Sequence, residues 1–175
     1  MSERRPLPPK YVIFGSIVPI MVFLDLWTKD LIVRDFRPGQ SRVIIDELFS
    51  ITYARNYGAA FSLFRDLPDG ARGWFFAVVT IVAVSAIFWF LITIPARDYW
   101  MASGLGLIFS GAVGNAVDRA RFGFVVDFLD FYWGKGGPAW PTFNVADIGI
   151  TVGAVIIIVF ELLRKEDTSH ASNPV

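Results

Sequence analysis

The chain has no cysteine and one histidine, His170, among its 175 residues. The first absence excludes disulfides, a thiol nucleophile and a lipid carried on a cysteine of the chain itself. The second removes a histidine-based triad and a multi-histidine zinc site, because His170 lies in a polar C-terminal tail where side chains are normally solvated. Net charge is also missing. Sixteen basic residues cancel sixteen acidic ones, so nothing calls for a nucleic-acid partner. There is no glycine-rich phosphate loop, metal-ligand cluster, internal repeat or low-complexity stretch. No cofactor and no metal are expected. Any hydrolytic chemistry has to rest on Asp or Glu.

Apolar residues are what the chain has in excess: 54% are hydrophobic and only 18% charged, an imbalance that soluble domains do not show. The apolar runs predict one membrane domain, 1–175, with spans at about 11–28, 74–94, 99–118 and 145–163. Each is near the roughly 20 residues needed to cross the hydrocarbon layer. The first run contains Pro19 and ends in Asp25-Leu26-Trp27-Thr28-Lys29 without a small-residue cleavage site, so it reads as a retained helix rather than a leader. Four spans put both termini on one side. The short segments there, with Arg4, Arg5, Lys10, Arg97, Arg164 and Lys165, are denser in basic residues than the long connections. That places the termini in the cytoplasm and the loops 29–73 and 119–144 outside. Val43–Ile45, Phe49–Tyr53 and Phe124–Phe131 have β-branched and aromatic enrichment and predict a small extracytoplasmic sheet above a mainly α four-helix bundle. Ser41-Arg42 and Leu67-Pro68-Asp69-Gly70 read as turns. The tryptophans at 27, 74, 100, 133 and 140 read as interfacial anchors.

Several acids sit at the ends of apolar runs, where a carboxylate near lipid is costly and therefore a candidate for function. Asp127 lies just beyond the third span and Asp147 at the start of the fourth. A connection rich in Gly134, Gly136, Gly137 and Pro138 can bring them to one depth. Two close carboxyls hold one proton between them, as peptide hydrolysis by paired acids requires. The competing structural reading makes Asp147 a helix N-cap and Asp127 a surface acid. Asp118 is a rival for the pair, although the adjacent Arg119 would hold it ionised and suit it to support. Asn56, Asn115 and Asn144 offer amides that can grip a peptide backbone, or else serve as cap and turn residues. Gly58-Ala59-Ala60 admits a close backbone or tight packing. Asp25 and Lys29 read as an i,i+4 ion pair snorkelling to the interface. Two non-proteolytic readings remain at this point, a small proton-coupled transporter and an assembly factor without enzymatic activity.

Five motifs carry a family resemblance: Asp25-Leu26-Trp27-Thr28-Lys29, Arg55-Asn56-Tyr57-Gly58-Ala59-Ala60-Phe61-Ser62, Gly114-Asn115-Ala116-Val117-Asp118-Arg119, Val125-Val126-Asp127-Phe128 and Phe143-Asn144-Val145-Ala146-Asp147. With them the chain resembles the bacterial lipoprotein signal peptidases (signal peptidase II). Ser110 stands where glycine is usual, and Phe124 fills a variable position. The resemblance implies an inner-membrane aspartic endopeptidase that cuts prolipoprotein signal peptides before a diacylglyceryl-modified cysteine. Asp127 and Asp147 match its catalytic positions. Asn56, Asn115, Arg119 and Asn144 match positions that contact substrate or support the site, Asp118 a required acid outside the dyad, and Asp25 and Lys29 positions near it. The implied partners are the lipidated precursor, membrane lipid and globomycin-type inhibitors, with the enzyme acting as a monomer at the periplasmic face.

Overall fold

The computed structural model describes residues 6–58, 68–134 and 136–171. Four long helices and one small sheet account for most of them. Helix α1 (Pro9–Asp35) starts with proline at its first position, where the missing N–H has no helical partner to lose, and it runs on through Pro19. Helix α2 is Asp69–Thr93 and α3 is Tyr99–Phe122. Asp98 caps α3 by accepting from the Met101 N–H, and Gly123 ends it in the left-handed region, φ 77°, where a side chain would be strained. Helix α4 is Val145–Ala171. All four are long and apolar enough to cross a membrane. The mainly α architecture expected from hydropathy is therefore present, with helices that run past the ends of the apolar runs because polar residues continue the hydrogen-bonded turns.

Between the helices, strands β1 (Ser41–Ile45), β2 (Phe49–Asn56) and β3 (Val125–Phe131) form an antiparallel sheet with β2 in the middle. Phe49 faces Phe131 and Ala54 faces Asp127 in its register. Two turn expectations are corrected. Ser41-Arg42 opens β1, paired with Thr52 and Ile51, because the pairing partner and not local composition decides. Asp69-Gly70 is the first turn of α2 behind Pro68; Leu67 lies outside the described residues.

Helix α3 packs against all three other helices. Its seam with α4 is made of small residues. A Cβ on Gly104 would stand 2.5 Å from Ile157 Cγ1, and one on Gly111 would collide with the Ala146 carbonyl. This close approach, which only glycine permits, draws the start of α4 against the end of α3. Two apolar clusters flank the seam. Phe14, Ile87, Leu91 and Leu105 fill the end near the chain termini. Ile32, Tyr53, Phe124, Val126 and Phe128 lock the sheet onto the other end.

Candidate active site

At the sheet end of the α3–α4 seam, β3 delivers Asp127 and the first turn of α4 delivers Asp147. Asn144 joins them. Its side-chain carbonyl accepts from the Asp147 N–H at 3.0 Å, and the Asp147 carboxylate accepts from the Asn144 N–H at 3.2 Å. This reciprocal pair is a capping box, so Asn144 is the N-cap and Asp147 the third helical residue, not the cap itself. The amide nitrogen of the same Asn144 donates to Asp127 Oδ1 at 2.6 Å. Asn144 is thus the helix cap, and the other end of the same amide meets Asp127.

A second asparagine completes the link. Asn115 Nδ2 donates to Asp147 Oδ1 at 2.9 Å, while its oxygen accepts from Asn144 Nδ2 at 3.2 Å and from Lys29 Nζ at 3.0 Å. With its oxygen so occupied, its amide nitrogen can only face the carboxylate. Asn56, at the end of β2, donates to Asp127 Oδ2 at 3.0 Å and accepts from the Gly58 N–H at 2.9 Å. Asp127 is buried, with 2% exposure. Burial, reinforced by the Asp147 carboxylate, pushes its carboxyl up to about 7 against the opposing hydrogen bonds from Asn56 and Asn144.

Behind this layer lies an ion triad. Lys29 Nζ is 2.9 Å from Asp25 and 3.0 Å from Asp118, with the Lys29 and Asp25 side chains only 2% and 1% exposed. The i,i+4 pair therefore exists but does not snorkel. Gly114 leaves the space that the Asp25 carboxylate fills, and the Ala146 N–H donates to Asp25 at 2.8 Å. The partner expected for Asp118 is also corrected. Asp118 pairs with Lys29 and accepts from the Val126 N–H at 3.0 Å. Arg119, next to it in sequence, leaves on another side of α3. It donates to the Gly58 carbonyl at 3.0 Å and stands over the Phe76 ring, 4.1 Å from its centroid. Gly58 is buried, and Ala59 and Ala60 lie outside the described residues.

Asp127 and Asp147 open onto a cavity of about 1000 Å³ that Asn56, Tyr57, Asn115 and Arg119 also line. Apolar or weakly polar side chains line it as well: Trp140, Pro141, Thr142 and Phe143 from the loop before α4, and Ile148, Ile150, Thr151 and Val152 from α4 itself. Sequence reading took Trp140 as an interfacial anchor and Phe143 as part of a motif, but did not single out Pro141, Thr142, Ile148, Ile150, Thr151 or Val152. Thr151 stands four positions after Asp147 and thus on the same helix face, a spacing that could have marked it. Two acids beside a mostly apolar cavity can activate a water against a peptide bond held there.

The family model for signal peptidase (SPase) II matches residues 17–163. The chain belongs to the signal peptidase II family. This peptidase is 39% identical to the lipoprotein signal peptidase of Syntrophus aciditrophicus over 166 residues, covering 95% of this chain and 99% of that one. It is 44% identical to that of Geobacter sulfurreducens, covering 91% and 97%. Among solved structures, it is similar to a bacterial membrane enzyme determined by the in meso method at 2.3 Å resolution, with TM-score 0.77, 31% identity and 93% of each chain covered. A signal peptidase is a protease, so the transporter and assembly-factor alternatives give way. With its family and its four apolar helices, this signal peptidase is a multi-pass bacterial membrane enzyme.

Proposed function

We propose that the chain is an aspartic endopeptidase that removes signal peptides from diacylglyceryl-modified prolipoproteins, cutting before the lipidated cysteine. The observation that carries this reading is that Asp127 and Asp147 line one cavity and are joined through Asn144, each carboxylate held by two N–H donors. In the reaction Asp147 takes a proton from water, whose oxygen attacks the scissile carbonyl. Asp127, kept neutral by burial, gives its proton to the carbonyl oxygen; as the tetrahedral intermediate collapses and the C–N bond breaks, Asp147 passes the proton taken from water to the leaving amine and the intermediate's hydroxyl returns one to Asp127. Asn56 and Asn144 keep Asp127 aimed, and Arg119 stands ready for the substrate backbone beside Gly58. Asp118, Lys29 and Asp25 hold Asn115 in the orientation that serves Asp147.

The apolar wall suits a signal peptide that diffuses laterally in the bilayer. Its lipidated cysteine sets the depth of the cut, so the membrane does part of the alignment. The denser basic residues at the helix ends away from the sheet support cytoplasmic termini and a periplasmic site. The enzyme acts as a monomer, and a globomycin-type cyclic peptide occupies the same cavity.

The test is cleavage of a lipidated precursor by the purified chain, with and without globomycin, beside Asp127→Asn and Asp147→Asn. Cleavage blocked by globomycin and lost in both variants is expected. Full activity in folded Asp127→Asn would refute the assignment.

A further inference from the structure

Among the described residues Arg55 and Arg121 take no part in the acid–amide network, and their guanidinium groups, like that of Arg72, are seated on aromatic rings. Arg55 lies over Phe124 (4.9 Å) and Tyr53 (5.7 Å), Arg72 over Tyr57 (5.2 Å), and Arg121 over Phe122 (4.8 Å). The rings are themselves one array: Phe122 stacks on Phe124 at 5.7 Å, and Tyr57 meets Phe124 at 5.4 Å. Phe124 and Tyr53 belong to the buried cluster beneath the sheet, so the cations rest on a rigid shelf. Among the described residues, neither Arg55 nor Arg121 has a carboxylate within 4.0 Å, and both are exposed.

The depth of the shelf follows from the helices. Arg72 is in the first turn of α2 and Arg121 in the last turn of α3. Only a short turn joins these helices at their other ends, so both arginines lie where the bundle leaves the hydrocarbon. Trp74, 77% exposed, follows Arg72 by two residues, as an interfacial aromatic should. Phospholipid phosphates occupy that depth. Arg55 hydrogen-bonds the Tyr53 and Tyr57 side chains, but a guanidinium carries five N–H donors, so Arg55 and Arg121 keep donors to offer phosphate oxygens.

We propose that this arginine–aromatic shelf binds the phosphate of an anionic phospholipid at the mouth of the cavity. Arg55 and Tyr57 line that cavity, so a bound headgroup forms part of the threshold a lipid-borne substrate crosses. The proposal concerns a lipid site and does not depend on which acids perform the chemistry.

The test uses the full chain in nanodiscs of phosphatidylcholine containing a minor fraction of phosphatidylglycerol. Native mass spectrometry counts the retained lipids of each class for the wild type, Arg55→Gln, Arg121→Gln, the double glutamine variant and the double lysine variant. Phosphatidylglycerol should be retained in preference to phosphatidylcholine. Retention should fall about fivefold for each arginine replaced by glutamine, with lysine restoring only part of it. Melting temperature monitors folding, and the lysine pair keeps the charge should the glutamine pair unfold. Equal retention of the two lipids by the wild type, or undiminished phosphatidylglycerol in a folded double variant, would overturn the site. Complete displacement by millimolar inorganic phosphate would assign it to free anions instead and overturn the lipid reading.

Discussion

At the end of the bundle away from the sheet, every buried charge serves a helix terminus. Lys10 is buried and donates to the Ile92 and Ile94 carbonyls at 3.0 and 2.7 Å, closing the end of α2. Asp98 caps α3 and meets Arg164 of α4 at 3.7 Å. At the sheet end the buried groups bond mainly to each other. Lys29 is shared by Asp25, Asp118 and Asn115, and Asn144 by Asp127 and Asn115. Both ends bury charge. Only one arranges it so that two carboxyls are held in place and still face an open cavity. The number of charges near lipid therefore does not mark a site; what they are bonded to, and what they face, does.

The strongest way to break this contrast is to neutralise the dyad. Asp127→Asn and Asp147→Asn should each lower precursor cleavage by about 10²–10⁴-fold, while circular dichroism shows the helices intact. Next comes pH. The Asp127 carboxyl, at about 7, keeps its proton through the acid range and loses it above neutrality. Because that proton is needed, kcat should fall about tenfold per pH unit once the pH passes about 7, and a flat profile to pH 9 would count against the shared proton. The stability sign runs the same way. The folded protein holds this proton more tightly than the unfolded chain, whose carboxyl has the ordinary value of 3.8. The stabilisation is full below that value, is lost as pH rises to about 7, and should vanish from denaturation profiles of Asp127→Asn.

Asp118→Asn sharpens the contrast between acids within the site end. It weakens a buried ion triad and the anchor of the Val126 N–H, so it should cost about 3 kcal/mol and reduce activity together with stability. A variant as stable as the wild type but wholly inactive would move Asp118 into the dyad. Gly111→Ala tests whether the seam matters. The new methyl meets the Ala146 carbonyl, and chemical denaturation should register a loss of about 1–3 kcal/mol, with cleavage impaired because Asp147 rides on the displaced turn. The smallest effect belongs to the other end: Asp98→Ala removes a cap worth about 1 kcal/mol and should leave kcat near the wild-type value.

Much of this was legible without coordinates. Four apolar runs stand out because lipid-facing helices cannot hide a charge, and the three strands stand out because β-branched and aromatic residues cluster in short segments. Asp127 and Asp147 could be singled out as a pair because few other groups in the chain can do hydrolytic chemistry and the connection between them can turn. Partner choice was not legible. Adjacent residues suggested Asp118 with Arg119, yet on a helix i and i+1 diverge by about 100°, and Lys29 of α1 reaches Asp118 instead. Burial was not legible either: Asp25 and Lys29 look like a surface pair until Gly114 of α3 is seen to make room for them.

Composition and periodicity determined the class of molecule, the number of helices and the small set of side chains able to do chemistry, because those follow from local cost in water and lipid. The tertiary structure alone decided which nitrogen of Asn115 and Asn144 faces which acid, and that Lys29 points inward. Those choices depend on distances between residues as many as 121 positions apart, as between Asp25 and Ala146, and only the packed helices set such distances.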